Sequence, residues 1–130
     1  MKQTFFSILI IVLFTSCVPF DMWYGIRITN NSNDVIYAYG AYILPYTALA
    51  QEKPKLIYIG KHESSHLSGY DIGDEILSRF ENEKVTVFLL SKEIVENKSW
   101  EEIRTKYLIL KRYEINSKDL SDMGGSITYP

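Results

Sequence analysis

The sequence predicts a mainly β fold, a single-domain β-sandwich of about six strands with two or three short helices. Three observations carry that prediction. Ile26 and Ile28 alternate with polar Arg27 and Thr29, as a half-buried strand requires, and the aromatic-rich run from Val35 to Ile43 reads as a second strand with two faces. "KVTVFLL" is a nearly unbroken apolar run of strand length, rich in β-branched residues. Turn-forming groups punctuate the chain at short intervals: "NNSND", Pro45 and Pro54, Gly60, and Gly124 with Gly125. The ten tyrosines suit pleated, half-buried surfaces. An α+β roll is the alternative arrangement of the same elements.

The opening stretch, "MKQTFFSILIIVLFTSC", lies outside that fold. Lys2 supplies a positive charge, Phe5 to Phe14 form an apolar run broken only by Ser7, and Thr15 and Ser16 lead to Cys17. Such a run, as helix, rises about 15 Å, half of the hydrocarbon core of a bilayer, so residues 1–16 read as a secretory signal peptide rather than a span. Cys17, the only cysteine, falls where the signal is cut. This placement resembles the lipobox of bacterial lipoproteins, although Phe14 stands where leucine is usual. The resemblance implies diacylglyceryl and acyl (palmitate-type) chains on Cys17, residues 17–23 as a lipidated tether and residues 24–130 as the folded domain. Each buried methylene adds about 0.8 kcal/mol, and two or more chains hold a protein stably on a membrane. Valine, not aspartate, follows Cys17, and Asp21 is the only acid nearby. By lipoprotein sorting logic this implies the outer membrane, on its periplasmic face, with the cell surface as the alternative.

Without residues 1–16 the chain has 114 residues, enough for one core and too few for two domains. Lys2 leaves with them, so 13 basic residues face 16 acidic ones, a formal charge of −3. That balance, with no basic stripe, excludes a nucleic-acid footprint. With Cys17 acylated no thiol is left for a disulfide, so packing alone must hold the domain.

"WYGIRITNNSNDVIYAYGAYI" reads as a hairpin about the "NNSND" turn. Val35, Tyr37, Tyr39, Ala41 and Ile43 form its core-facing side; Ile36, Ala38, Gly40 and Tyr42 form the other. "LPYTALAQEKP" is a crossing loop, and "KLIYIG" a third strand ended by Gly60. "DIGDEILSRF" suits two helical turns with Ile72, Ile76 and Phe80 stacked. "SWEE" is a capping box that opens a helix presenting Trp100, Ile103 and Tyr107 to the core. "YLILKRYEIN" is a strand, "SKDLSDM" a helical turn stopped by Gly124 and Gly125, and "SITYP" closes the sheet. The "IRITNNSNDVIYAYGAYI" segment, "WEEIR" and the tail "LILKRYEINSKDLSDMGGSITYP" resemble a group of small lipoproteins of gut Bacteroides-type bacteria. The resemblance covers most of the mature chain, implies location and single-domain architecture without an activity, and leaves "KHESSHLSG" outside the shared pattern.

That stretch holds the one catalytic motif. His62, Glu63 and His66 spell H-E-x-x-H, in which a helix presents both histidines to zinc and the glutamate takes a proton from metal-bound water. Gly60 and Gly69 bracket the segment, no apolar stripe would seat a helix, and Ile72 occupies the position of the third ligand. The expected structure is a polar loop or hairpin with both histidines in water, and no cofactor. Tyr42 and Tyr46, with Tyr24 and Trp23, form the candidate aromatic surface for sugar stacking. Lys111, Arg112 and Glu114 of "KRYE" read as a solvated strand face with cross-strand charge pairing. Asp71, Asp74 and Glu75 match no calcium loop.

The expected function is therefore a lipid-anchored cell-envelope binding or structural module, non-enzymatic, whose partners are the membrane and an envelope protein or glycan. A carbohydrate-binding module using an aromatic sheet face, and a minimal zinc metallopeptidase using His62, Glu63 and His66, are the alternatives.

Overall fold

The computed structural model describes residues 25–42, 47–68 and 79–130. The expected signal peptide and tether, Trp23, Tyr24, Tyr46 and residues 69–78, which hold all but the last two residues of the helix expected over 71–80 and its acidic cluster, lie outside the described residues. Seven strands and three short helices are described: β1 (Gly25–Asn30), β2 (Ile36–Ala41), β3 (Ile57–Ile59), β4 (Ser64–Ser68), β5 (Val85–Ser91), α1 (Lys92–Asn97), α2 (Trp100–Lys106), β6 (Lys111–Ile115), α3 (Ser117–Asp122) and β7 (Ile127–Tyr129). They form two sheets ordered β4-β1-β7 and β3-β2-β5-β6. The larger is antiparallel throughout; in the smaller, β7 runs parallel to β1. This is the mainly β, sandwich-like single domain that the sequence predicts.

Two cores flank the larger sheet. Between the sheets, Ile26 and Ile28 of β1 and Leu67 of β4 meet Ile36 and Ala38 of β2, with Val85, Val87 and Leu89 of β5. On the outer face, Tyr39, Phe88 and Leu90 pack with Leu49 and with Ile103 of α2, while Ile94 and Val95 of α1 and Trp100 add partial cover. The apolar run of β5 is thereby explained, because successive side chains enter opposite cores. The Tyr39 ring stacks on Phe88 at 5.0 Å and meets Trp100 edge-on at 5.8 Å. Burying side chains of this size is worth about 1.5–3 kcal/mol each.

The structure corrects several expectations. β1 and β2 do not pair as a hairpin; they lie in different sheets, and the chain turns a corner between them. Ile36 and Ala38, read as the face away from the core, fill the space between the sheets. Residues 64–68, expected in a polar loop or hairpin, form a seventh strand that pairs with β1. The segment "KEIVEN", for which no element is expected, is α1, begun by the Ser91 side chain, which accepts from the backbone N–H of Ile94 at 3.2 Å. Ser99 caps α2 by accepting from Glu102 N–H at 3.1 Å. The Glu102 carboxylate does not complete the box, because it takes Lys106 at 2.7 Å and Lys98 at 3.5 Å instead. Tyr107 closes α2 in the left-handed conformation and is exposed, not in the core. At α3 the capping box is complete between Asn116 and Asp119, and Gly124 and Gly125, at φ of +80° and +83°, end the helix as expected.

The corner is built around Asn30, which is fully buried. Its amide nitrogen donates to Asp34 O at 2.7 Å and Gly60 O at 3.0 Å, with a longer approach to Ile59 O at 3.4 Å. Its Oδ1 accepts from Ser32 N at 3.0 Å and Ser32 Oγ at 2.7 Å. The backbone adds Asn30 N to Glu63 O at 2.8 Å and Asn31 N to Tyr129 O at 2.6 Å. One side chain thus joins the β1–β2 corner to the end of β3 in the opposite sheet. Asn30→Ala leaves several buried groups unpaired, each costing about 1–3 kcal/mol, so urea denaturation should show about 3 kcal/mol lost. Asn31→Ala, at an exposed neighbour whose side chain makes none of these bonds, should stay within about 0.5 kcal/mol of the parent.

Burial raises the Tyr39 phenol well above its ordinary pKa of 10.0, and the Ala50 N–H, donating to the hydroxyl at 3.4 Å, offsets only part of that. In the unfolded chain this phenol ionises near 10, whereas in the fold it holds its proton. Its contribution is therefore intact below pH 10 and is lost as pH rises toward the folded value. Tyr39→Phe should match the parent within about 1 kcal/mol at neutral pH. Above pH 10 its urea midpoint should fall less steeply than the parent's, because no buried proton remains to be lost.

Candidate functional site

The described residues enclose an open groove of about 740 Å³ where the corner, the β3–β4 turn and α1 converge. Each wall has a local cause. The Asn30 bonds hold the corner, which contributes Asp34, and the turn that contributes Lys61. The Ser91 cap starts α1 directly off the end of β5, so Lys92, Glu93, Glu96 and Asn97 face the same space. From edge strand β3 comes Tyr58, and from the C-terminal strand Tyr129.

Tyr58 is 53 % exposed, the most exposed of the large apolar side chains described. It pairs in register with Tyr37 of β2, whose ring meets it edge-on at 5.8 Å and 80°. Tyr37 in turn packs against the outer core, so the exposed ring rests on a half-buried support. Lys92 and Glu96 pair at 3.1 Å, one helical turn apart. The hydrogen bond that the Lys92 ammonium donates to Glu96 is the main reason it holds its proton more tightly than usual, with smaller contributions from the Tyr37 and Tyr58 phenols. No ion pair among the described residues engages the Asp34 or Glu93 carboxylate or the Lys61 ammonium. A weakly charged wall of donors and acceptors with one supported aromatic ring suits recognition of a small polar molecule.

The zinc motif is divided between two elements. His62 sits in the β3–β4 turn with φ of 55°, and its Nε2 lies 2.9 Å from Asn33 Oδ1. Glu63 offers its carbonyl to Asn30 N–H and lays its carboxylate over Gly60, where there is no Cβ to meet it. His66 lies on β4, opposite Arg27 of β1. Successive strand positions alternate between faces, so this backbone lacks the one-turn helical spacing that a zincin uses. Among the described residues no group of three or more His, Cys, Asp or Glu side chains is placed to hold a metal ion.

Of the aromatic quartet only Tyr42 falls within the described residues. It is half-buried, and the Arg79 guanidinium lies 4.6 Å from its ring centroid. Its hydroxyl bonds Glu83 and, together with Arg79, holds that exposed carboxyl below its usual pKa. One face of this ring is therefore occupied. In "KRYE", Arg112 pairs with Glu114 at 3.2 Å along the same strand and donates to the Tyr107 hydroxyl at 3.0 Å, while the Lys111 ammonium lies 5.1 Å from the Tyr113 ring. The charges are satisfied within β6 and the end of α2, rather than across strands as expected.

Sequence reasoning did not single out the groove. Two signals pointed to it: "IYI" puts Tyr58 on the opposite side from its two isoleucines, and "SKEI" places a capping serine before an acidic first turn. Comparison with protein-family models, curated proteins and solved structures found no match to the chain.

Proposed function

We propose that this chain is a lipid-anchored binding or structural module of the cell envelope, non-enzymatic, held on the outer membrane by acyl chains on Cys17 and facing the periplasm. The observation that carries the reading is the ordered series in "MKQTFFSILIIVLFTSC": a positive residue, an apolar run too short to span, small polar residues and the chain's single cysteine. Among the described residues no helix is long and apolar enough to cross a membrane. The groove supports a binding role, because its exposed aromatic and its unpaired charges have no evident use in holding the fold. The likeness to small gut Bacteroides-type lipoproteins belongs to this proposal as well, as support for the address.

Expression in a Gram-negative host grown with an alkyne analogue of palmitate tests the tether. The parent should carry the label and pellet with outer membranes. Cys17→Ser should carry none and should accumulate as an unprocessed precursor. A parent that stays unlabelled and remains in the soluble periplasmic fraction contradicts the proposal.

A further inference from the structure

We infer that the groove is a saccharide subsite, with Tyr58 as the surface on which one sugar ring stacks. The inference rests on the binding-module reading above and names its ligand class. Three properties converge on a neutral carbohydrate. The first is the ring itself, exposed on edge strand β3 and held by edge-on contact with Tyr37, so little ordering remains to be done on binding. The apolar face of a pyranose matches such a ring as well as any aliphatic surface does.

The second property is the mixed lining. Sugar hydroxyls donate and accept at once, and the walls supply both functions. Asp34 and Glu93 accept, Lys61 donates, and Asn97 does both, one amide hydrogen being already given to Glu93 O at 2.9 Å. An anionic ligand fits poorly, because three carboxylates outnumber two ammonium groups and Glu96 already holds Lys92. A peptide joining the sheet edge fits poorly too, because β3 offers only three residues of ladder. The third property is size: about 740 Å³ lies within the range of small-molecule sites and leaves room for more than one ring in an open groove.

The test is a titration of the ¹⁵N-labelled full chain, kept in a non-glycosidic detergent so that the detergent does not compete. Maltotriose, cellotriose, mannotriose and chitotriose serve as the probes. At least one should give saturable amide shifts at Tyr58, Lys61, Glu93 and Asn97, with a dissociation constant of about 1 mM. Tyr58→Ala should weaken that probe by about tenfold or more, the loss expected on truncating a central aromatic contact. Tyr58→Phe, which keeps the stacking face, should retain most of the affinity. Unshifted groove amides with all four probes would overturn the inference. Binding that Tyr58→Ala leaves intact would do the same, as would shifts produced by a peptide of mixed charge but by no sugar. Tyr58 lies outside both cores, so its truncation is expected to leave the fold intact, which the variant's own amide spectrum verifies. These results are independent of acylation at Cys17, so the saccharide inference and the tethered-module reading can fail separately.

Discussion

The side chain of Asn30 is fully buried, yet its five hydrogen bonds reach the corner at Ser32 and Asp34 and, across the sandwich, the end of β3 at Ile59 and Gly60. The sheets touch elsewhere through apolar side chains, which tolerate small slips in register. Hydrogen bonds with defined directions do not. A buried amide that must find all its partners permits one arrangement of corner and turn. With the only cysteine at position 17, no disulfide can perform this task within the folded region. Backbone bonds from Asn30 to Glu63 and from Asn31 to Tyr129 bring β4 and β7 to the same point. On the outer face of the small sheet, Thr29 Oγ1 lies 2.8 Å from Ser64 Oγ and 2.9 Å from Ser126 Oγ, joining the same three stretches of chain.

From this joint follows the position of the groove. β5 is central to the larger sheet and buried on both sides, so the chain leaving it must cover its outer face at once. The Ser91 cap turns that exit directly into α1, and α1 lands beside the corner. Tyr58 stands between them because β3 is the edge strand next to β2. The polar wall of the groove is thus made of residues whose backbone positions are set by buried contacts, while their side chains face outward.

Much of the fold could be read from local pattern, because local pattern caused it. The alternation in β1, the apolar run of β5, the Ser99 cap and the Gly124–Gly125 stop are properties of neighbouring residues, and all appear as expected. What escaped was decided over longer range. "NNSND" offers the same turn-forming side chains to a hairpin as to a corner. Whether Asn30 turns outward or inward depends on carbonyls about thirty residues away, which no local pattern shows. β4 carries three serines and a histidine among its five residues, with Leu67 alone reaching the core, so its strand character comes from pairing with β1. β2 carries apolar or aromatic side chains on both faces, and for that reason its pattern could not say which face meets the other sheet. For the site, the motif that drew attention, His62–Glu63–His66, is split between a turn and a strand. The residues that form the groove come from five separate segments, brought together only by the fold.

Amide hydrogen exchange on the unmodified chain tests the central role of Asn30 most directly. Ser32 N–H donates to Asn30 Oδ1, and Asn30 and Asn31 N–H donate to Glu63 O and Tyr129 O, so all three report on the joint. If the joint holds the sheets together, these turn amides exchange only when the domain unfolds, at the free energy shown by the β5 amides of Val87 and Leu89. If they exchange by local opening while β5 stays protected, the sheets are held by apolar packing alone and the account is wrong.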